Sequence, residues 1–305
     1  MAVSAMAIHI GTSGWRYGHW ANVLYPDGLA TEHRLAYYVA QFATVELNAS
    51  YYRWPSDAAF ASWRRRLPDG FRLSVKAPCA LTHRQRLFGP DRWLARMRRG
   101  LSLLGPRVGP LLVQLPPTAA RDDACLAYFL ERVPAAMRVA VEFRNPAWID
   151  EAVFTLLEKH GAAYCVMSGA HLPCILRTTA DFVYVRLHGP DHDRLYAGSY
   201  TDPDLRWWAD RLREWQAMGR DVFVYFNNDG DGNAVRNATA LMRHRRSIAS
   251  TAGSGSIPAR VGHCTALVAP DSRLQQPTDR RDDDAIHADV EASSSKLQTG
   301  PRAFP

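Results

Sequence analysis

The chain has 305 residues, a formal net charge of +7, 47% hydrophobic and 10% aromatic residues, which is enough apolar surface for one large core or two small ones. No apolar run reaches the roughly 18 residues that a membrane helix needs, and MAVSAMAIHI lacks the basic and apolar regions of a secretory signal. Cysteines at 79, 125, 165, 174 and 264 show neither a CxxC pair nor a metal-type spacing; such a scattered set suits reduced thiols in a cytoplasm.

Periodicity predicts strands and helices in alternation. IHIGTS (8–13) reads as a strand. In 32–42, Leu35, Tyr38, Val39 and Phe42 share a helical face. TVELN (44–48) is the next strand, and Ser56 is an N-cap for a helix over 56–66. FRLSVK (71–76) precedes a helix over 91–104 with a stripe of Trp93, Met97, Leu101 and Leu104. Strands at 111–115, 138–143 and 162–167 alternate with helices at 122–133 and 149–160. The connection 168–181 shows no helical period. Strands at 182–188 and 221–227 are each followed by a helix, at 203–218 and 232–246. The last stretch, from 248 to 305, is rich in Ser, Asp, Gly and Pro without apolar period, and is expected to be a disordered tail. The folded part, 1–247, then has eight strands mostly separated by helices. That pattern predicts a TIM-like (β/α)8 barrel, with an open doubly wound sheet as the competing α/β fold. No GxGxxG follows the first strand and no GxxxxGK[ST] occurs, so neither a dinucleotide nor a P-loop site is signalled.

The alternation within strands places one polar face after another. Val139, Val141 and Phe143 suit the helix-facing side of a barrel, which puts Glu142 inside. The same rule gathers Glu46, Asn48, Lys76, Gln114, Arg186, His188 and Asn227 on the inner face, towards the C-terminal ends, and Arg144 joins them just past its strand. Isolated buried ions cost several kcal/mol, so these groups either pair with one another, bracing the barrel, or serve chemistry at the mouth. Lys76 is conspicuous because lysine otherwise occurs only at 159 and 296.

Ordered motifs carry a further signal: GTSGWRYGHW (11–20), TVELNASYYRWP (44–55), FRLSVKAP (71–78), LTH (81–83), LLVQLPP (111–117), VAVEFRNPAW (139–148), FVYVRLHG (182–189) and VYFNNDGDGNAVRNA (224–238). Together they make the chain resemble the YecE-like family, domain of unknown function 72. The resemblance implies a TIM-like barrel and supplies no reaction.

From the residues, the candidate catalytic groups are Glu46, Glu142, Lys76 and His188: cations keep one carboxylate ionised, while burial raises another's proton affinity. Asn48, Gln114, Arg144, Arg186, Asn227, His83, Trp15 and Tyr51 are expected to bind substrate, the arginines suiting phosphate or carboxylate and the aromatics a sugar or base. Glu46, Glu142 and His188 also make an O/O/N set for a divalent metal. The expected function is an enzyme acting on a small polar or anionic molecule such as a sugar, sugar phosphate or nucleotide-like compound. The alternatives are a nucleic-acid-binding or -processing protein using RRR (64–66), RMRR (96–99) and RHRR (243–246), or a barrel that binds a ligand without turnover.

Overall fold

The computed structural model describes residues 6–246; the tail expected from 248 lies outside them. Strands β1 (Ile8–Thr12), β2 (Thr44–Leu47), β3 (Arg72–Lys76), β4 (Val108–Leu115), β5 (Val139–Phe143), β6 (Ala163–Ser168), β7 (Phe182–Leu187) and β8 (Asp221–Phe226) are all parallel and pair in the order β1-β8-β7-β6-β5-β4-β3-β2. All eight predicted strands are present, β4 starting at Val108, ahead of the expected residue 111. The helices are α1 (Arg34–Gln41), the short α2 (Ala49–Tyr52), α3 (Asp57–Arg66), α4 (Asp91–Ser102), α5 (Asp123–Arg132), α6 (Glu151–Lys159), α7 (Asp202–Ala217) and α8 (Asn233–Arg246). Local chemistry explains their starts. Ser56, Asp122 and Asp150 each accept a hydrogen bond from a first-turn N–H, and Thr201 with Asp204 forms a capping box. No helix joins β6 to β7, as the sequence pattern predicts. Among the described residues no helix is long and apolar enough to cross a membrane.

The alternation of strand residues builds two apolar layers. Val45, Leu73, Val113, Val141, Val185 and Val224 pack outward against the helices. Leu112, Ala140, Cys165, Tyr184, Phe223 and Tyr225 fill the barrel interior. The stripe on α4 is shifted by one position at its start: Leu94 is buried and Trp93 only partly so, because Leu94 lies on the same helical face as Met97 and Leu101.

Barrel closure falls at the β1–β2 seam. The backbone ladder there is reduced to a bridge between Ser13 and Glu46, with the Gly14 N–H donating to the Glu46 carbonyl at 2.9 Å. Below it, Tyr38 of α1 inserts its hydroxyl between the strands. That hydroxyl accepts from the Thr12 N–H at 2.9 Å and donates to the Thr44 carbonyl at 3.0 Å. Gly11 makes the approach feasible, since a Cβ there would lie 2.2 Å from the Thr44 carbonyl oxygen.

His9 enters the base of the barrel, stacked on Phe223 at 4.8 Å between ring centroids. Burial, aided by Arg72, lowers its pKa from 6.5 to about 4. The unfolded chain binds this proton near pH 6.5 and the folded one only near 4. Stability from this group is therefore fully present above pH 6.5 and is lost as pH falls towards 4. His9→Phe is expected to reduce the stability difference between pH 7 and pH 4.5 by about 1–3 kcal/mol; urea melts at the two pH values check this, and an unchanged difference rejects it.

Cys79, Cys125 and Cys165 are free.

Candidate functional site

The site is organised around Arg186, which β7 points into the barrel between two carboxylates. Its Nε and Nη2 donate to Glu46 Oε2 and Oε1 at 3.1 and 2.8 Å, and its Nη1 donates to Glu142 Oε2 at 2.7 Å. All three residues are essentially inaccessible, at 0–1% exposure. Glu46 is held further by the hydroxyls of Tyr184, at 2.7 Å, and Ser13; the Asn48 amide donates in turn to Ser13 Oγ at 2.6 Å. The second oxygen of Glu142 accepts from Arg144 Nε. Burial alone would raise the Glu142 pKa, but Arg144 and Arg186 outweigh it and hold the carboxyl well below its ordinary value. Glu142 is thus a fixed anion. The charges do not float in an apolar core; each carboxylate meets a guanidinium in good geometry.

Above this layer sits His188, fully buried, with Nε2 at 3.4 Å from Arg144 Nη2 and 4.0 Å from Glu142 Oε1. Burial and then Arg144 and Arg186 push its pKa well below 6.5, so the ring is neutral. Its two ring nitrogens each face a donor, Nε2 the Arg144 guanidinium and Nδ1 the Asn227 amide nitrogen at 3.2 Å, and a neutral ring accepts from one of them. The loop after β7 roofs the site. Gly189 has φ +108° and its missing Cβ would lie 2.1 Å from the Ala197 carbonyl oxygen, so the two limbs of the loop touch at its base. Tyr196, itself at φ +70°, sets its ring 5.3 Å from His188 and accepts from Arg144 Nη2 at 3.5 Å.

Lys76 ends β3 half-buried at the same mouth. Its ammonium lies 4.3 Å from the centroid of the Tyr51 ring. Among the described residues it makes no ion pair with a carboxylate. Burial and then Arg186 lower its pKa from 10.5 to about 8. His83, on the turn Ala80–Arg84, packs edge-on against Tyr51 at 5.0 Å. Gln114 stands beside Glu142 in register, and its Oε1, like Asn48 Oδ1, is a buried acceptor with no protein partner.

The structure therefore gathers Glu46, Glu142, Arg144, Arg186, His188, Asn227, Asn48, Gln114, Lys76 and Tyr51 at one end of the barrel. Trp15 does not belong with them: it is 4% exposed and packs edge-on against Trp63 of α3, because the turn after β1 directs it into the helical layer. The metal set is not assembled either. Arg186 occupies the space between Glu46 and Glu142, and no group of three potential ligands occurs among the described residues. Ser13 and Tyr184, both on the inward face by alternation, complete the network without having been singled out as site residues. Cavities of about 500 Å³, against Ser168, Tyr200 and Trp207, and about 200 Å³, against Arg86 and Trp148, lie beside the mouth and away from Arg186. The arginine run of α3 is exposed on its last turn, where cations complement the helix dipole.

Comparison with known proteins places this geometry. The profile described as "Protein of unknown function DUF72" matches residues 9–259. The chain belongs to the DUF72 family. Among its curated relatives, the UPF0759 protein YunF of Bacillus subtilis is 26% identical over 266 residues, covering 77% of this chain and 93% of YunF. The UPF0759 protein YecE of Escherichia coli K12 is 30% identical over 140 residues, covering 46% of this chain and 49% of YecE. A DUF72 crystal structure from Thermotoga maritima superposes with a TM-score of 0.70 at 27% identity, over 79% of this chain and all of that one. A DUF72 protein of Enterococcus faecalis gives 0.69 at 16% identity, over 82% of this chain and all of that one, which shows a shared fold. The nearly closed TIM-like barrel is thus a DUF72 barrel, as the motifs in the sequence implied.

Proposed function

We propose that the barrel mouth is an enzyme site for a small anionic molecule, a carboxylate or phosphate ester of sugar or nucleotide-like size, acted on by proton transfer. The observation that carries this reading is the charge balance of the mouth. Among the described residues, the carboxylates that pair with or act on Arg144, Arg186 and Lys76 are Glu46 and Glu142, and His188 is neutral. Arg186 bridges both carboxylates, and Arg144 shares Glu142 through its Nε. Arg144 Nη1 and the Lys76 ammonium are left without an anion among the described residues. An anionic ligand neutralises that excess, and the unpartnered oxygens of Gln114 and Asn48 accept its hydroxyl or amine donors. The Tyr196 roof favours a compact ligand over a polymer. Glu142 holds Arg144 and Arg186 in place, and neutral His188 is the proton acceptor.

Calorimetric titration of the full chain with inorganic phosphate, a 2-oxo acid and a sugar phosphate tests the anion site. Wild type is expected to bind at least one of them, and Arg144→Gln, which leaves Glu142 paired with Arg186, is expected to weaken binding at least tenfold. A ligand present at about 100 times its Kd adds about 2.7 kcal/mol of stability, a midpoint rise of roughly 5–10 °C in a barrel of this size. Absence of binding, or equal binding by both proteins, overturns the assignment.

A further inference from the structure

Lys76 differs from every other cation of the mouth. Arg186 and Arg144 are tied to carboxylates, while the Lys76 ammonium has an aromatic ring beneath it and, among the described residues, no ion pair with a carboxylate. Its position is nevertheless fixed. The strand carbonyl of Lys76 accepts from Ser50 Oγ at 2.6 Å, and the next residue's N–H donates to the Leu112 carbonyl at 2.8 Å. The backbone of Lys76 is thus anchored in the barrel wall, and its amine stands over Tyr51 near guanidiniums that carboxylates hold.

We propose that Lys76 is a nucleophilic amine that forms an imine with the carbonyl carbon of an anionic oxo compound, an oxo acid or a phosphorylated aldehyde or ketone, whose anionic group is held by Arg144. This rests on the reading of the mouth as an anion site and adds the substrate class. In the step, the free amine adds to the carbonyl carbon. The C–N bond forms as the π pair moves to oxygen. The nitrogen then loses its protons while the oxygen gains them and leaves as water, so one carbonyl and one amine give one imine and one water with no change of oxidation state. The protonated imine withdraws electrons from the neighbouring C–H or C–C bond. Burial first, and then the neighbouring Arg186, favour the free-amine form of Lys76, with a pKa lowered to about 8. A lysine that only balanced charge would be expected beside a carboxylate, as both arginines are.

The test is reductive trapping on the full chain. The protein is incubated with glyoxylate, pyruvate or glyceraldehyde 3-phosphate plus cyanoborohydride, in parallel with neutral acetaldehyde, and the adducts are located by peptide mass mapping. Lys159, exposed at the end of α6, is the internal reference. An anionic carbonyl is expected to label Lys76 at least ten times faster than Lys159, with a rate that rises through about pH 8; acetaldehyde is expected to show no such preference. Lys76→Arg is expected to abolish the fast adduct while keeping the charge. If no anionic carbonyl labels Lys76 faster than Lys159, the imine is rejected. Should phosphate or a 2-oxo acid still bind in an Arg144-dependent way, the anion site survives that failure; if nothing binds, both readings fall.

Discussion

Glu142→Gln is expected to cost about 3–5 kcal/mol of stability, lowering the thermal midpoint by roughly 6–20 °C. The amide keeps the shape of the carboxyl but removes its charge. Among the described residues Arg144 then has no carboxylate partner, and Arg186 retains Glu46 alone. Two guanidiniums that are 1–5% exposed cannot recover the loss from water. The pH dependence follows in sign. The carboxyl of Glu142 titrates well below the ordinary 4.5, so its stabilisation is present above that value and is lost as pH falls through the depressed one. Wild type is therefore expected to lose stability more steeply than the variant below about pH 4.5. Urea melts of both proteins from pH 3.5 to 7 decide the matter. A variant within 1 kcal/mol of wild type at pH 7 would mean that the network does not depend on this charge.

The second large effect belongs to the seam. Gly11→Ala is expected to destabilise by about 3 kcal/mol or more, because a Cβ 2.2 Å from the Thr44 carbonyl oxygen must push β1 from β2. That displacement also strains the paired contacts of the Tyr38 hydroxyl with Thr12 and Thr44. Gly18, whose Cβ would meet nothing within 4 Å, is the matched control; Gly18→Ala is expected to stay within about 0.5 kcal/mol. Chemical denaturation of the pair separates a steric requirement from a general cost of replacing glycine. Equal effects at the two positions would dismiss the steric account.

Much of the molecule is legible in the sequence because strands in a closed barrel have a period of two. Val183, Val185 and Leu187 against Tyr184 and Arg186 tell which side chains enter the barrel, and Glu46, Glu142 and Arg186 meet as that alternation requires. Who pairs with whom is less visible. Arg186 is 140 residues from Glu46 and 44 from Glu142, and only barrel closure juxtaposes them. Periodicity also says nothing about residues beyond a strand's end. Trp15 follows β1 by a few positions and turns into the helical layer, whereas Tyr196, deep in a loop, returns over His188 because Gly189 lets the loop close on itself. The proton affinity of Lys76 and the neutrality of His188 depend first on burial and then on neighbouring arginines, which only the folded barrel brings close.

Arg186 makes four donor contacts before any ligand arrives. Its orientation is settled when the barrel folds. An anion binding as proposed would meet a field already aligned, with Arg144 and Arg186 held by Glu142. Interactions prepared in this way do not weaken through reorganisation as charge shifts during a reaction. The same rigidity narrows what the mouth accepts: a ligand whose anionic group is misplaced relative to Lys76 cannot be rescued by swinging the arginines. On the proposed reading of the mouth, selectivity would reside in the ligand's internal spacing between charge and reacting carbon rather than in charge alone.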